Sequence, residues 1–330
     1  MTRRVILLLA ALAMAVAAEA ALVPLSHHTA AAQTAGDSNA GATPVAVDGW
    51  SGERAMNDIA AQLRLTPRSL DTPGHQQTID YIESQLAKTP FRAVTKQRWN
   101  YRGDDGAQHA MTNVIARLDP SNPRRIIVAT HYDSIVRAYR DNKNPDAPMP
   151  GANNSASGVA VLLETARALD GLPPPPVGID LIFFDGEEGP KSLGAGDPNW
   201  FALGSPYFTA HLGELYPSRK PEAAVDFDMV CYRELELKPE LSSLFYARSE
   251  TAKFWSLGAA LAPSVFLPLP TSYPVSDDHT ALAQAGIPSL LVIDFEYEPW
   301  FNTTEDTIDK CSAAKLADVG RTLLRYLYAH

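Results

Sequence analysis

The chain has 330 residues, of which 45% are hydrophobic, so it carries enough apolar material for one large folded domain or two small ones. This composition excludes disorder of the whole chain. Acidic residues outnumber basic residues 38 to 28, and a net charge of −10 provides no basic surface for a phosphate backbone. Nucleic acid is therefore not an expected partner.

The N-terminus has the organisation of an export signal. Arg3 and Arg4 precede an apolar run over residues 5–18, and small residues stand at Ala18 and Ala20. The pattern predicts a signal peptide over residues 1–20, and hence a secreted or periplasmic protein. An uncleaved membrane anchor is the alternative, but the run is shorter than the ~20 residues that span a bilayer. We therefore expect no stable membrane insertion after cleavage.

The next segment, residues 21–50, is rich in Ala, Thr, Gly and Ser and lacks an apolar period. This predicts a flexible leader that precedes one domain over residues 51–330. The chain has two cysteines, Cys231 and Cys311. They permit one disulfide in an exported protein, and two separate buried thiols are the alternative.

Helix and strand patterns alternate along the rest of the chain. The folded region opens with helices at 53–65 and 74–88, followed by a hairpin whose strands at 91–101 and 111–118 flank a turn at 102–106. Short β-branched or apolar runs predict further strands at 126–130, 178–184, 223–230 and 289–293. Helical patterns occur at 155–169, 207–214, 252–261, 279–285 and 313–328. This alternation predicts a single-domain α/β fold with a mixed, centrally parallel sheet and helices on both faces.

Polar and acidic side chains follow several of the predicted strands. In open α/β sheets, ligands bind beyond the carboxyl ends of the strands, so these side chains are candidates for one site. In chain order they are His131, Asp133, Asp185, Glu187, Glu188, Asp226, Asp228, Asp277, Asp278 and His279. A run of small residues at 151–160 opens one predicted helix and lets it pack close to the sheet.

These motifs, in this order, resemble the zinc-dependent aminopeptidase superfamily and, within it, the glutaminyl-peptide cyclotransferase branch. The similarity covers residues 50–330 and rests on the segments at 130–134, 151–160, 183–188, 228–230, 276–279 and 303–307. The Phe-Phe-Asp-Gly-Glu-Glu segment at 183–188, with the insert through residues 197–200, is more similar to the cyclases than to the ordinary aminopeptidases. The resemblance implies an enzyme that acts on peptides with a free N-terminus, by cyclising N-terminal glutamine or by removing the first residue.

The resemblance also implies roles for individual residues. Glu187 corresponds to the general acid/base, and Asp278 joins it in the catalytic set. Glu188 corresponds to a zinc ligand, and His131 to a ligand of the second metal in two-zinc relatives. Asp228, together with Asp278, positions the amino group of the substrate. A carboxylate beside a polarised carbonyl can move the proton that either reaction requires, which fits the role of Glu187.

Two aromatic residues, Trp300 and Phe301, directly precede the last motif. They are candidates for an apolar wall that contacts a substrate side chain. Ordinary packing in the core or at the rim of the site is the alternative.

Two positions depart from the pattern of the family that the chain resembles. Asn154 stands where the helix-opening motif carries a zinc-binding aspartate, and Asn302 stands where the final motif carries a zinc-binding histidine. Zinc prefers thiolate, imidazole and carboxylate ligands, whereas these two side chains offer neutral amide oxygens. Glu188 is then the one good ligand of the set, so we expect zinc to be weakly bound or absent.

Three interpretations of the asparagines stay open at this point. The site is degraded and binds peptides without efficient chemistry, or the chain was altered from an active zinc enzyme, or the amides serve as weak ligands for a harder cation. The leading expectation is a glutaminyl-peptide cyclotransferase or aminopeptidase with a weakened zinc site. The alternative is a metal-free, catalytically impaired peptide-binding protein. A serine hydrolase is not expected, because no Gly-x-Ser-x-Gly elbow follows a strand.

Overall fold

The computed structural model describes residues 47–104, 106–189 and 200–330. The predicted signal peptide and most of the predicted leader lie outside these residues, as do residues 197–199 of the cyclase-like insert. Within the described ranges, no helix has the length and apolar character needed to cross a bilayer.

Strands and helices alternate through most of the described chain. In order they are α1 (Gly52–Leu63), α2 (Pro73–Leu86), β1 (Val94–Arg102), β2 (Gln108–Leu118), β3 (Arg125–His131), α3 (Ala156–Asp170), β4 (Gly178–Phe184), α4 (Gly204–Ala210), α5 (Leu212–Leu215), β5 (Ala223–Asp228), α6 (Leu241–Tyr246), α7 (Arg248–Leu261), α8 (Asp278–Gln284), β6 (Ser289–Ile293), a 3₁₀ turn (Ile308–Lys310) and α9 (Ala313–Tyr328). Side-chain caps begin several helices: the Ser51 oxygen accepts from the Arg54 N–H in α1, and Thr72 accepts from the His75 N–H in α2.

The six strands form one sheet in the order β1-β2-β4-β3-β5-β6. Strands β4, β3, β5 and β6 are mutually parallel, whereas β1 and β2 form an antiparallel hairpin that joins the sheet through β4. The predicted mixed, centrally parallel sheet is therefore confirmed. Because β3, β5 and β6 all point the same way, His131 and Asp228 come to the same edge of the sheet.

Both faces of the sheet are covered by helices. Along β3, Ile126 and Val128 belong to an apolar cluster that includes residues of α1, α3 and α9, whereas Ile127 and Ala129 belong to a second cluster with residues of α4, α5 and α8. This alternation follows from the two-residue period of a strand, and it explains why β3 is buried along its whole length.

The sequence prediction differs from the structure at a few elements. Strand β5 ends at Asp228 rather than at residue 230, because Met229 adopts a positive φ of 46° and leaves the strand direction. The helix predicted at 207–214 is two short helices, α4 and α5, that meet at His211. Helix α6 is missing from the prediction, and α7 begins at Arg248 rather than at residue 252.

Packing of the domain begins a few residues before α1. Val47 and Trp50 are buried, and the Trp50 indole N–H donates to the Thr165 hydroxyl at 3.0 Å. Both residues lie within the stretch that the sequence assigns to the leader.

The C-terminal helix is tied to β5 by a disulfide between Cys231 and Cys311, which resolves the two alternatives for the cysteines. Closing a loop of 80 residues stabilises a fold by roughly 4–5 kcal/mol in the chain-entropy account.

Helix α3 approaches the sheet closely at Gly158. A Cβ atom at this position would collide with the Thr130 hydroxyl and would lie 2.5 Å from the Phe227 carbonyl oxygen. The absence of a side chain therefore allows the first turn of α3 to lie against β3 and β5, next to the strand ends that carry His131 and Asp228.

We expect Gly158→Ala to destabilise the protein by about 1–3 kcal/mol, because the backbone of β5 cannot move away from the added methyl group. Gly213→Ala is the matched control, since no atom lies within 4 Å of the Cβ it would add. Urea unfolding of both variants provides the measurement. Equal stability of Gly158→Ala and the unaltered chain would contradict the close approach of α3.

Candidate functional site

The loops that follow the parallel strands meet at the carboxyl edge of the sheet. His131 ends β3, Glu187 and Glu188 follow β4, and Asp228 ends β5. The structure brings these four side chains together, as the order of the motifs predicts. The opening of α3 and the segment before the 3₁₀ turn complete the site with Asn154 and Asn302. The roles assigned to these residues remain predictions.

His131 is the cationic side chain at the centre of this group. Its Nδ1 lies 3.3 Å from Asp133 Oδ1, its Nε2 lies 3.4 Å from Asp228 Oδ1, and the same nitrogen lies 4.0 Å from Glu187 Oε2. Burial alone lowers the pKa of His131, but the hydrogen bonds to Asp133 and Asp228 and the surrounding negative charge together raise it well above its ordinary value. The anionic neighbours of His131 therefore stabilise its imidazolium form.

Asp133 holds the loop that carries the two glutamates. Its carboxylate accepts the backbone N–H groups of Glu187 and Glu188, each at 3.1 Å. The sequence prediction did not assign this residue a role, although its place two residues after His131 was a usable signal. On the opposite side of the loop, the indole N–H of Trp200 donates to the Glu187 carbonyl oxygen at 3.1 Å. These bonds fix the position of the predicted acid/base residue.

Among the three residues predicted to bind the first metal, Asn154 contacts both of the others. The side-chain amide of Asn154 donates to Glu188 Oε1 at 2.7 Å and to Asn302 Oδ1 at 3.4 Å, and all three residues are buried. The Asn302 amide in turn donates to the Tyr139 hydroxyl at 3.3 Å. Asp306 positions the opening of α3 by accepting the backbone N–H of Asn154 at 3.1 Å.

This donor set does not fit a zinc ion. A zinc site needs three good protein ligands, and here the carboxylate of Glu188 faces an amide NH₂ rather than another anionic or imidazole ligand. The carbonyl oxygen of the Asn154 side chain is buried and has no hydrogen-bond partner among the described residues, so this side chain offers a metal one neutral oxygen. Burial raises the pKa of Glu188 to about 8.

Glu187 has the environment of a proton-transfer group. Its side chain is 12% exposed, so it faces the open side of the site. Burial raises the pKa of Glu187 well above its usual range, the charge of Asp277 raises it further, and His131 opposes both effects. A carboxyl group of this kind can hold a proton near neutral pH and release it during a reaction.

The two adjacent aspartates at the start of α8 differ in their surroundings. Asp278, predicted to be catalytic, is buried, and its Oδ1 accepts from the Ser205 hydroxyl. Asp277 caps α8 by accepting the Asp278 backbone N–H at 2.6 Å. Among the charges that act on Glu187, Asp277 has the largest effect and Asp278 a smaller one. The structure therefore adds Asp277, a candidate to which the sequence prediction gave no individual role, to the charges that act on Glu187.

Two candidates from the sequence have other partners. The Asp185 carboxylate lies 2.7 Å from His75 Nε2 and accepts the Thr112 backbone N–H at 2.6 Å. The fully buried His279 lies 3.3 Å from the Glu240 carboxylate. Both pairs stabilise the surroundings of the site.

The predicted apolar wall has a mixed outcome. Phe301 is buried in an apolar cluster with Met229, Val275, Leu291, Ile293 and Tyr297. Little of the Phe301 ring is therefore exposed for contact with a substrate, and this side chain packs in the core. Trp300 is half-buried, and the Lys310 ammonium lies 4.5 Å from its ring centroid. Its role as a substrate-contacting residue remains a prediction.

A mixed, centrally parallel sheet that carries a His-x-Asp motif, a Glu-Glu pair and buried aspartates at its carboxyl edge defines the class of zinc exopeptidases and glutaminyl cyclases. The model of peptidase family M28 matches residues 113–327, and the chain belongs to this family. Among curated relatives, aminopeptidase YwaD of Bacillus subtilis is 30% identical over 228 residues. That match covers 66% of this chain and 44% of the relative, so the chain spans less than half of its length.

Solved structures show the same fold over nearly their whole length. The glutaminyl cyclase of Tannerella forsythia is 28% identical with a TM-score of 0.77, and the match covers 85% of this chain and 99% of that one. A zinc-dependent exopeptidase from Parabacteroides distasonis is 26% identical with a TM-score of 0.79, covering 86% of this chain and 100% of that one. The family resemblance predicted from the motifs is thus confirmed.

Restoring the two predicted ligands tests their placement. We expect Asn154→Asp combined with Asn302→His to raise zinc affinity. In metalloenzymes, residues that only orient the ligands change metal affinity by roughly 10- to 100-fold, and replacing the ligands themselves should have a larger effect. The reason is that the variant presents one imidazole and two carboxylates to the same point. Bound zinc per chain and calorimetric titration provide the readout.

The exposed Asn100→Asp variant is the control, because it changes the net charge at the far edge of the sheet. A double variant that binds no more zinc than this control would show that residues 154 and 302 are not at a metal position.

Proposed function

We propose that the protein acts on the free N-terminus of peptides at the carboxyl edge of the sheet, and that cyclisation of N-terminal glutamine is its chemistry. The observation that carries this proposal is Glu187, a partly exposed carboxyl group with a raised pKa beside His131 and Asp228. The similarity to bacterial glutaminyl cyclases supports it. The export signal predicted at residues 1–20 supports an activity outside the cytoplasm.

Recognition of the substrate rests on charge. A peptide's α-ammonium group donates hydrogen bonds and carries a positive charge, so it pairs with a carboxylate that is reachable from solvent. Asp228 meets this requirement, because its side chain is 10% exposed and its carboxylate lies 3.4 Å from His131 Nε2. The neighbouring carboxylate of Asp277 strengthens the attraction for a cationic group.

Cyclisation requires two proton movements and a fixed orientation. The α-ammonium group first releases one proton to solvent to give the free amine. The amine nitrogen then forms a bond with the side-chain carbonyl carbon and loses a second proton, and the original carbon–nitrogen bond breaks as the leaving nitrogen accepts this proton and departs as ammonia. Glu187 takes the proton from the amine and delivers it to the leaving nitrogen, for which a raised pKa is suited. Because both reacting groups belong to one residue, holding that residue in the reactive conformation supplies much of the rate.

Hydrolysis of the first peptide bond makes a further demand. It needs an activated water as the nucleophile, which metallopeptidases generate on a metal ion. Since the amides of Asn154 and Asn302 do not fit zinc, the residues present support the intramolecular reaction better than the hydrolytic one.

Binding without turnover is the second candidate. It is favoured by one observation: the Asn154 amide donates to Glu188 and so fills the position where a family metal would polarise the substrate carbonyl. The two candidates share the recognition of a free N-terminus and differ in whether ammonia is released. A peptide with N-terminal glutamine therefore separates them in a single assay of binding and ammonia formation.

Replacing the proton-transfer group tests the proposed chemistry. We expect Glu187→Gln to reduce the rate of cyclisation of a glutaminyl peptide by about 10²- to 10⁴-fold, because the amide cannot accept the amine proton. The thermal unfolding temperature should stay near that of the unaltered chain, since the Glu187 backbone bonds to Asp133 and Trp200 are retained.

The control is Glu214→Gln, which removes a solvent-exposed carboxylate in α5. Unchanged turnover in Glu187→Gln would remove this residue from the mechanism. Tight binding of the peptide by the unaltered chain, with no ammonia released, would establish the binding protein instead.

A further inference from the structure

A small cavity lies between the hairpin of β1 and β2 and the start of α2, and its volume is about 300 Å³. Arg98 and Asn100 of β1 pair across the hairpin with Thr112 and Ala110 of β2, so these four side chains lie on one face. Helix α2 contributes His75 to the lining. The volume is at the lower end of the range for small-molecule pockets.

The charge of the lining is opposite to that of the chain as a whole. The chain has a net charge of −10, yet none of the described residues that line the cavity is acidic, and Arg98 and His75 are basic. The Arg98 guanidinium forms no ion pair or hydrogen bond within the described part of the chain. It therefore presents a fork of N–H donors that matches the geometry of a carboxylate.

Thr112 presents a hydroxyl group to the same cavity. The residue is only 8% exposed, and its hydroxyl forms no hydrogen bond with any residue that the structure describes. Its backbone is fixed, because its N–H donates to Asp185 at 2.6 Å and its carbonyl oxygen accepts from the Tyr132 hydroxyl at 2.8 Å. Buried polar groups in folded proteins are nearly always satisfied, so this hydroxyl indicates a polar ligand group in the cavity.

The His75 ring adds a further donor from the opposite wall. His75 is 6% exposed, and its Nε2 lies 2.7 Å from Asp185 Oδ1, which leaves Nδ1 without a partner among the described residues. Burial alone lowers the pKa of His75, but the hydrogen bond to Asp185 and the charge of that carboxylate raise it above its ordinary value. The imidazolium form, in which Nδ1 carries a hydrogen, is thereby stabilised.

We propose that this cavity binds a small organic carboxylate with a short apolar body. Arg98, His75 and the Thr112 hydroxyl donate to the carboxylate. Because Asp185 already compensates the charge of His75, the lining offers the single uncompensated charge of Arg98, which suits a monocarboxylate better than a dianion. The rest of the ligand contacts the apolar residues of the lining, which are Ile79, Trp99, Ala110 and Met111.

Binding is measured by calorimetry on the purified full chain with N-acetylleucine, whose blocked amine cannot occupy a site for a free N-terminus. The outcome is therefore independent of the proposed enzymatic function. We expect saturable binding of N-acetylleucine, and we expect its neutral amide to bind about tenfold more weakly or worse, because hydrogen bonds to a charged group are the stronger ones.

The carboxylate can belong to a free acid or to the C-terminus of a peptide, and an N-acetylated tripeptide that ends in leucine separates these sources. Binding of the tripeptide identifies a peptide C-terminus as a ligand, whereas binding of N-acetylleucine alone identifies a free acid.

Two variants locate the ligand. Arg98→Gln removes the uncompensated charge from an exposed side chain, so it should retain the fold and weaken binding of the carboxylate by about tenfold or more. Thr112→Val keeps the shape of the side chain without its hydroxyl and should weaken binding by about 2- to 10-fold. If Thr112→Val fails to fold, Arg98→Gln decides.

Arg102→Gln is the control, because it makes the same change of charge at the end of the same strand, outside the cavity. It should bind the carboxylate as tightly as the unaltered chain. The proposal is overturned if neither carboxylate binds saturably, or if the acid and its amide bind equally. Undiminished binding by Arg98→Gln would overturn it as well, because the carboxylate would then lie elsewhere.

Discussion

Compensation of buried negative charge is the constraint on which this site depends. The sheet delivers carboxylates from several loops to one edge, where water is largely excluded and an unpaired charge is costly. On one side, His131 lies between Asp133 and Asp228, and backbone N–H groups complete the environment of Asp133. On the other side, an amide donates to Glu188. These contacts surround Glu187, whose side chain is 12% exposed.

Asparagine at position 154 changes the kind of interaction that this position offers. An aspartate there would add a negative charge beside Glu188 and so require a cation, whereas the amide supplies hydrogens that the carboxylate can accept directly. The surrounding frame is unaffected, because Asp306 holds the backbone of residue 154 rather than its side chain. The backbone around the predicted metal position thus surrounds a centre that is held together by hydrogen bonds.

The fold was largely predictable because its elements have clear local signals. Strands β4 and β6 and helix α9 occur at the predicted residues, where apolar runs or a long amphipathic period define them. Helix α6 was missed because it has six residues and is capped by Glu240, a residue that is not typical of helix starts. The sequence prediction extended strand β5 too far, because Val230 is a residue type that favours strands. The positive φ of Met229, which marks the end of the strand, is visible only in the structure.

The sequence predicted which loops meet at the site, because the order of the motifs and the positions of the strand ends determine this. Its finer arrangement was not, because it depends on contacts between residues far apart in sequence. Asp133 bonds to a loop more than 50 positions away, and Ser205 bonds to Asp278 over 73 positions. Sequence alone also gave no means to rank Asp277 and Asp278, whose different surroundings follow from the geometry of the α8 cap.

The disulfide links site assembly to the compartment in which the chain folds. Cys231 follows the strand that carries Asp228, and its backbone N–H donates to the Asn153 side chain at 2.9 Å, beside the opening of α3. Its partner, Cys311, follows the segment that contains Asn302 and Asp306. Oxidation therefore joins two separate walls of the acidic edge covalently. A chain produced in a reducing cytosol would have only noncovalent contacts between these walls, so oxidative folding is the appropriate route for preparing it.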